Sequence, residues 1–232
     1  MHLTKALIAE FLGTFALIFI GAGAVVALDP GNFAAIGLAH GFVIMAFAYA
    51  FGNESNSYLN PALTVGVVIA GEGSVTAAIP VFIAQFAGGI VGGLALAAIY
   101  GVHAAHQLGM TTVNLDITSM MGGLMLEAIG TFFLMTIVLN TALRGVAGKF
   151  APFAIGMTVA VCIMSFGPVT GAAINPARTL GPAVGMGRLT EALPYMIAQF
   201  AGAIAAAVLY RLVFKNAVGD ERGDIDAETP AF

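Results

Sequence analysis

The chain has 232 residues, of which 59% are hydrophobic and 9% are charged, and its formal net charge is −4. This composition excludes an ordinary soluble domain and is typical of a protein embedded in a membrane. The acidic balance offers no basic surface for nucleic acid, which we therefore do not expect as a partner.

Six apolar stretches are long enough to cross a bilayer, which takes about 20 helical residues. They lie at roughly 5–28, 33–52, 78–100, 120–142, 151–167 and 190–214. Two shorter stretches, about 61–70 and 176–185, reach only about half-way across at ~1.5 Å rise per residue. We therefore expect an all-α membrane protein with six transmembrane helices and two re-entrant half-helices.

The same tripeptide opens both short stretches. Asn is a favoured N-cap, and Pro is tolerated at the first helical position because its missing N–H would be unpaired there. A helix that begins inside hydrophobic sequence is tolerated at membrane depth only where the backbone is buried in protein or lines a watery cavity. Two such helix starts in one chain predict a pore or a binding site near the membrane midplane. The two boxes are Asn60-Pro61-Ala62 and Asn175-Pro176-Ala177.

The two halves of the chain repeat one another. Glu10 and Glu127 each open a Glu-x-x-Gly-Thr-Phe run, and Gln85 and Gln199 each open Gln-Phe-Ala-Gly. Three spans per copy make the copies run in opposite directions, an inverted repeat whose site lies near the midplane. We expect a single channel domain over residues 1–232, with repeats at about 5–100 and 120–214 and an acidic cytoplasmic tail at 215–232.

Glu10 and Glu127 are ionisable groups within spans, which suggests a function. We assign them to holding the loop backbone before each box, with proton transport as the alternative. The sequence contains no nucleophile–base pair, and its histidines lack the spacing of a metal site. An enzyme, a metal site and a cofactor are therefore not expected.

The duplicated boxes, the paired Glu and Gln motifs and the run Asn-Pro-Ala-Arg-Thr-Leu-Gly-Pro-Ala resemble the aquaporin (major intrinsic protein) family, from about residue 5 to 214. The resemblance implies that family's six-span fold and a passive water channel. It also implies a homotetramer with one pore per subunit, surrounded by membrane lipid. The chain resembles the bacterial type, which implies the inner (plasma) membrane.

The resemblance also implies a four-residue selectivity filter, which falls on His40, Ile163, Ala172 and Arg178. This set is similar to that of plant tonoplast aquaporins, which include water and ammonia conductors, and the imidazole would add a donor or acceptor to the passage. Glycerol facilitators carry Asp after the arginine, whereas this chain has Thr179, which disfavours glycerol. Tyr58 stands where the family has His, which predicts a differently shaped cytoplasmic side.

Orientation follows from the basic residues. Apart from Arg188, the one exception in a loop, and Arg178, which lies within a motif, they fall before the first span, between the fourth and fifth, and at or beyond the end of the sixth, which predicts that both termini are cytoplasmic. The residues are Lys5, Arg144, Lys149, Arg211, Lys215 and Arg222.

The expected chemistry is that of a neutral-solute channel. Two half-helices that meet by their N-termini present about +0.5 elementary charge each, which repels cations and hydronium. The amides of Asn60 and Asn175 can donate to the oxygen of a passing molecule. We expect passage of water, with ammonia or other small neutral solutes, and exclusion of protons and ions. The alternatives are a water-only channel, a small-solute facilitator, a coupled transporter and a packing protein with a closed pore.

Overall fold

The computed structural model describes residues 3–29, 31–103 and 105–215. The predicted acidic tail lies outside the described residues from position 216 onward. Within the described ranges the chain is helical and contains no β-strand. Six helices in this part are long and apolar enough to cross a membrane: Leu3–Ala27, Phe33–Ser55, Val75–Tyr100, Met120–Leu143, Gly148–Thr170 and Leu189–Phe214. The predicted six spans are confirmed.

Local capping explains where the observed spans depart from the predicted bounds. The third span begins at Val75, three residues before the expected start, because the Ser74 hydroxyl accepts a hydrogen bond from the Ala77 N–H at 3.3 Å. The second span continues to Ser55 and ends where Asn56 adopts a left-handed conformation with φ of 60°. Asparagine tolerates that conformation better than most residues, so it ends the helix.

The two half-helices run over Pro61–Ala70 and Pro176–Gly185. Asn60 caps the first through its side-chain oxygen, which accepts from the Ala62 N–H at 3.0 Å. Asn175 caps the second in the same way, accepting from Ala177 at 2.9 Å and Arg178 at 3.3 Å. Each box therefore begins a helix, as the capping preferences of Asn and Pro predict.

Helix packing follows the repeat. The first span packs on the third and the fourth on the sixth, while the second packs on the fifth. Each half-helix contacts the third or sixth span of the opposite repeat. The glycines that close the two Gln-Phe-Ala-Gly motifs lie where the third span crosses the first and the sixth crosses the fourth: a Cβ on Gly88 would lie 2.3 Å from the Phe11 carbonyl oxygen, and one on Gly202 would lie 2.0 Å from that of Ala128. No larger residue fits at either crossing.

Candidate functional site

The loop before the first box is held by Glu10, whose side chain is fully buried. One carboxylate oxygen accepts from the Tyr58 N–H at 3.0 Å, and the other accepts from Leu59 at 2.8 Å. Gln85 donates its side-chain amide to the second oxygen at 2.8 Å. The glutamate thus supplies acceptors for backbone N–H groups that lie outside any helix, which a buried loop requires.

Glu127 does the same in the second repeat and is equally buried. It accepts from the N–H groups of Ala173 and Ile174 at 3.0 and 2.8 Å, from the Thr170 hydroxyl at 2.7 Å and from the Gln199 amide at 2.8 Å. Four donors on one carboxylate form a strong, charge-assisted network. Neither glutamate lines the three cavities described below.

The two glutamines extend these hydrogen-bond networks, although the sequence indicated them only as markers of the repeat. Beyond its glutamate, Gln85 accepts from the Thr64 hydroxyl at 3.0 Å, and Gln199 donates to the Thr179 hydroxyl at 2.9 Å. Each glutamine therefore ties a glutamate to the half-helix of its own repeat. The available signal was a fully buried amide at the same place in both halves of an apolar chain, since a buried polar group needs partners.

These bonds hold a strained backbone. Leu59 has φ of 50° and Ile174 has φ of 42°, and neither is glycine. A non-glycine residue held in this left-handed backbone conformation costs about 1–3 kcal/mol, and it persists only where the surrounding structure fixes it. Because each glutamate accepts from the N–H of the strained residue itself, it opposes relaxation of the loop at that point.

The two boxes are joined across the repeat. The Asn60 amide donates to the Ile174 carbonyl at 3.0 Å, and the Asn175 amide donates to the Leu59 carbonyl at 2.8 Å. An asparagine amide has two N–H donors, so one per residue is used to join the loops and one is left. Sequence reasoning foresaw donation toward a passing molecule but not this cross-link.

Three cavities lie in a row along the bundle. The central cavity leaves about 20 Å³ for the centre of a water molecule. Beside it are the Arg178 vestibule, of about 350 Å³, and the Tyr58 vestibule, of about 300 Å³, each named for a residue that it shares with the central cavity. The central cavity is lined by residues of both repeats, among them Leu17, His40, Ile44, Tyr58, Asn60, Leu63, Ile155, Val159, Asn175 and Arg178.

Arg178 and His40 are in contact at one end of the central cavity, and both are almost fully buried. Arg178 Nε donates to His40 Nε2 at 3.1 Å, and His40 Nδ1 donates to the Ile36 carbonyl at 2.9 Å. This pattern requires the neutral Nδ1–H tautomer. The sequence predicted a donor or acceptor from His40, but both ring nitrogens are already engaged. Arg178 Nη1 has no hydrogen-bond partner in the part of the chain that the structure describes.

The other two expected filter residues, Ile163 and Ala172, do not line the central cavity itself. Ile163 is buried and lines the Arg178 vestibule together with Arg178. Ala172 is also buried, and its N–H donates to the Thr170 hydroxyl at 3.0 Å. Ala172 is not among the lining residues of the three cavities. The structure therefore brings His40, Ile163 and Arg178 to one end of the central cavity and sets Ala172 in the loop behind it.

Comparison with known proteins decides the family. The family model described as Major intrinsic protein matches residues 1–210. The chain belongs to the major intrinsic protein family, the aquaporins. Among aquaporins, "Aquaporin NIP1-3" of Oryza sativa subsp. japonica is 36% identical over 218 residues, which cover 92% of this chain and 75% of the relative. "Aquaporin AqpM" of Methanothermobacter marburgensis is 36% identical over 240 residues, 91% and 98% of the two chains.

The fold is that of a solved aquaporin structure as well. An X-ray structure of the aquaglyceroporin from Plasmodium falciparum superposes with a TM-score of 0.79 at 24% identity, covering 94% of this chain and 99% of that one. As a member of the aquaporin family, the protein is an integral multi-pass membrane protein and a passive channel for water or small solutes, not an enzyme.

Proposed function

We propose that this aquaporin conducts water, admits ammonia and similarly small neutral solutes, and excludes protons and ions. The observation that carries the proposal is the central cavity of about 20 Å³, set between two vestibules more than ten times as large. One water molecule needs roughly 10–15 Å³ by this measure. Solutes therefore pass the central cavity singly and lose most of their hydration.

Exclusion of protons rests on the two boxes, Asn60-Pro61-Ala62 and Asn175-Pro176-Ala177. Both half-helices begin at the central cavity, where Asn60 and Asn175 line the wall, and each carries partial positive charge at its first N–H groups. The remaining N–H of each asparagine donates to the oxygen of a passing water, which then points its own hydrogens away. An ion also loses a hydration shell that the few polar groups of this wall do not replace, and that loss is costly.

The selectivity filter is His40, Ile163, Ala172 and Arg178. Among the described residues, none pairs with the buried Nη1 donor of Arg178, which lies at the entrance to the central cavity. Ammonia accepts one hydrogen bond from such a donor and needs little further solvation, while ammonium has no lone pair and meets a like charge. Because the His40 nitrogens are engaged, His40 acts by its shape and by orienting Arg178. Ala172 acts from the loop, through the backbone that positions the second box.

The membrane and oligomeric state proposed here are those that membership of the family implies. We place the protein in a bacterial inner membrane as a homotetramer with one pore per subunit, in contact with lipid and with both termini cytoplasmic. Large apolar side chains exposed on the spans, such as Ile83 and Phe133, support burial against lipid or a second copy. Lys5 lies 3.9 Å from Glu54 and Lys215 lies 3.1 Å from Glu72, which supports two termini on the face where the second span and first half-helix end.

Ammonia conduction is tested in proteoliposomes that carry an internal pH dye. Internal alkalinisation after an ammonia gradient should be faster than in empty vesicles, because the filter donates one bond to a neutral acceptor. His40→Phe combined with Ile163→His should lower ammonia flux more than water flux, since it narrows the filter and adds a polar group opposite Arg178. Equal ammonia influx with and without protein, in vesicles whose water flux is raised, would leave a water-only channel.

A further inference from the structure

The end of the central cavity away from Arg178 opens into the Tyr58 vestibule. The central cavity shares Arg178 with one vestibule, and it shares Tyr58, Leu63 and Ile155 with the other. Tyr58, Leu63 and Ile155 therefore lie where a cavity of about 20 Å³ meets a vestibule of about 300 Å³. We infer that Tyr58 forms a second constriction there, and that its aromatic ring sets the largest solute that leaves or enters through the Tyr58 vestibule. The inference rests on the proposed pore.

Repeat symmetry identifies Tyr58 as the added element. Glu10 accepts from the N–H groups of Tyr58 and Leu59, as Glu127 accepts from those of Ala173 and Ile174. Tyr58 and Ala173 are therefore equivalent positions, and both line the central cavity. A methyl group faces the cavity from one repeat and a phenol ring from the other. The ring is therefore bulk that the second repeat does not supply at the equivalent position.

The ring is fixed in place. The Tyr58 backbone N–H is bonded to Glu10, and the phenol oxygen accepts from the Asn56 side-chain amide at 3.3 Å. The half-buried ring also packs against the hydrophobic core. The bond to Glu10 fixes the backbone from which the ring projects, and core packing together with the Asn56 bond favours the orientation in which the ring lines the passage.

The chemistry of this boundary favours discrimination by size. Its other two residues, Leu63 and Ile155, are aliphatic and offer no hydrogen bond. Water needs one donor or acceptor at a time and can use the phenol hydroxyl. A polyol or an alkylated urea carries several polar groups and a wider body, so it meets both the ring and unreplaced hydration. The solutes excluded here are small polyols and amides.

The test uses four proteins in liposomes: the wild type, Tyr58→Ala, His40→Ala and the double variant. His40→Ala widens the first constriction, so that the second, at Tyr58, becomes the narrower of the two for larger solutes. Glycerol and methylurea permeability, relative to water, should be at least about tenfold higher in the double variant than in His40→Ala, because even a methylene-sized difference in a fitted site gives about that discrimination. Tyr58→Ser provides a second small side chain, and its double variant should behave alike.

The conservative control is Tyr58→Phe combined with His40→Ala. It keeps the ring and should exclude glycerol as His40→Ala alone does. A double variant that passes no more glycerol than His40→Ala, or a Phe variant that passes as much as the Ala variant, overturns the assignment of the ring. Wild-type vesicles without raised water flux would instead overturn the proposed channel itself. If the wild type raises water flux but the Tyr58 variants leave glycerol permeability unchanged, only this inference is overturned.

Discussion

Glu127→Gln should lower the stability of the folded protein sharply. Two backbone N–H groups, a hydroxyl and an amide donate to the Glu127 carboxylate, and the glutamine amide replaces one acceptor oxygen by a donor. Two of the four donors then lose their partner while buried, at about 1–3 kcal/mol each. The expected loss is roughly 2–6 kcal/mol, large against the marginal stability of most folds. Thermal unfolding in detergent, followed by circular dichroism, measures it.

The matched control is Glu54→Gln. Glu54 is also a span glutamate, but its side chain is partly exposed and lies 3.9 Å from an exposed Lys5. Such a surface pair contributes about 0–1 kcal/mol, so this variant should melt close to the wild type. Equal melting of the two variants would contradict the role given to the buried carboxylate.

Arg178→Ala should raise the passage of small cations. Arg178 is the one cationic side chain among the described residues that line the central cavity. Two unit charges 4 Å apart repel by about 4 kcal/mol at an effective dielectric constant of 20, and each 1.4 kcal/mol is about tenfold in a rate or population. Water within the pore screens part of this repulsion, so we expect a rise of at least about tenfold in methylammonium uptake.

Arg188→Ala is the control for this substitution. Arg188 lies in an exposed connection and is paired with Glu191 at 2.6 Å. The Arg188→Ala substitution removes one positive charge, as Arg178→Ala does, but leaves the cavity wall unchanged. Methylammonium uptake should therefore stay at the wild-type level. Water flux should persist in both variants. A barrier located at Arg178 would be contradicted if both variants raised methylammonium uptake to a similar extent, or if neither variant raised it.

The architecture was predictable from the sequence because it depends on local sequence patterns. Span length, the Asn-Pro start of each half-helix and the duplicated Glu motif depend on residues near one another in the chain. The spans differ from the prediction mainly at ends set by single caps, such as Ser74. The cavity lining was only partly predictable: Arg178 follows from its place after the box, whereas Leu63 and Ile155 gave no sequence signal.

The contacts that join the repeats were not predictable from one sequence. Asn60 donates to Ile174, which is 114 positions away, and Arg178 donates to His40 at a separation of 138. Such bonds depend on how whole helices cross, and a polar side chain alone does not reveal its partner. The engagement of both His40 nitrogens therefore changed the expected role of this residue from donor to orienting group.

The most direct measurement compares water and proton flux in the same proteoliposomes. Vesicles with purified protein and an internal pH dye are subjected first to an osmotic step and then to a pH step with a valinomycin-clamped potential. Osmotic shrinkage should be clearly faster than in empty vesicles, while the rate of proton entry should match theirs, because the central cavity places both half-helix N-termini and Arg178 around a single file of water. A proton flux that rises together with the water flux would contradict this mechanism.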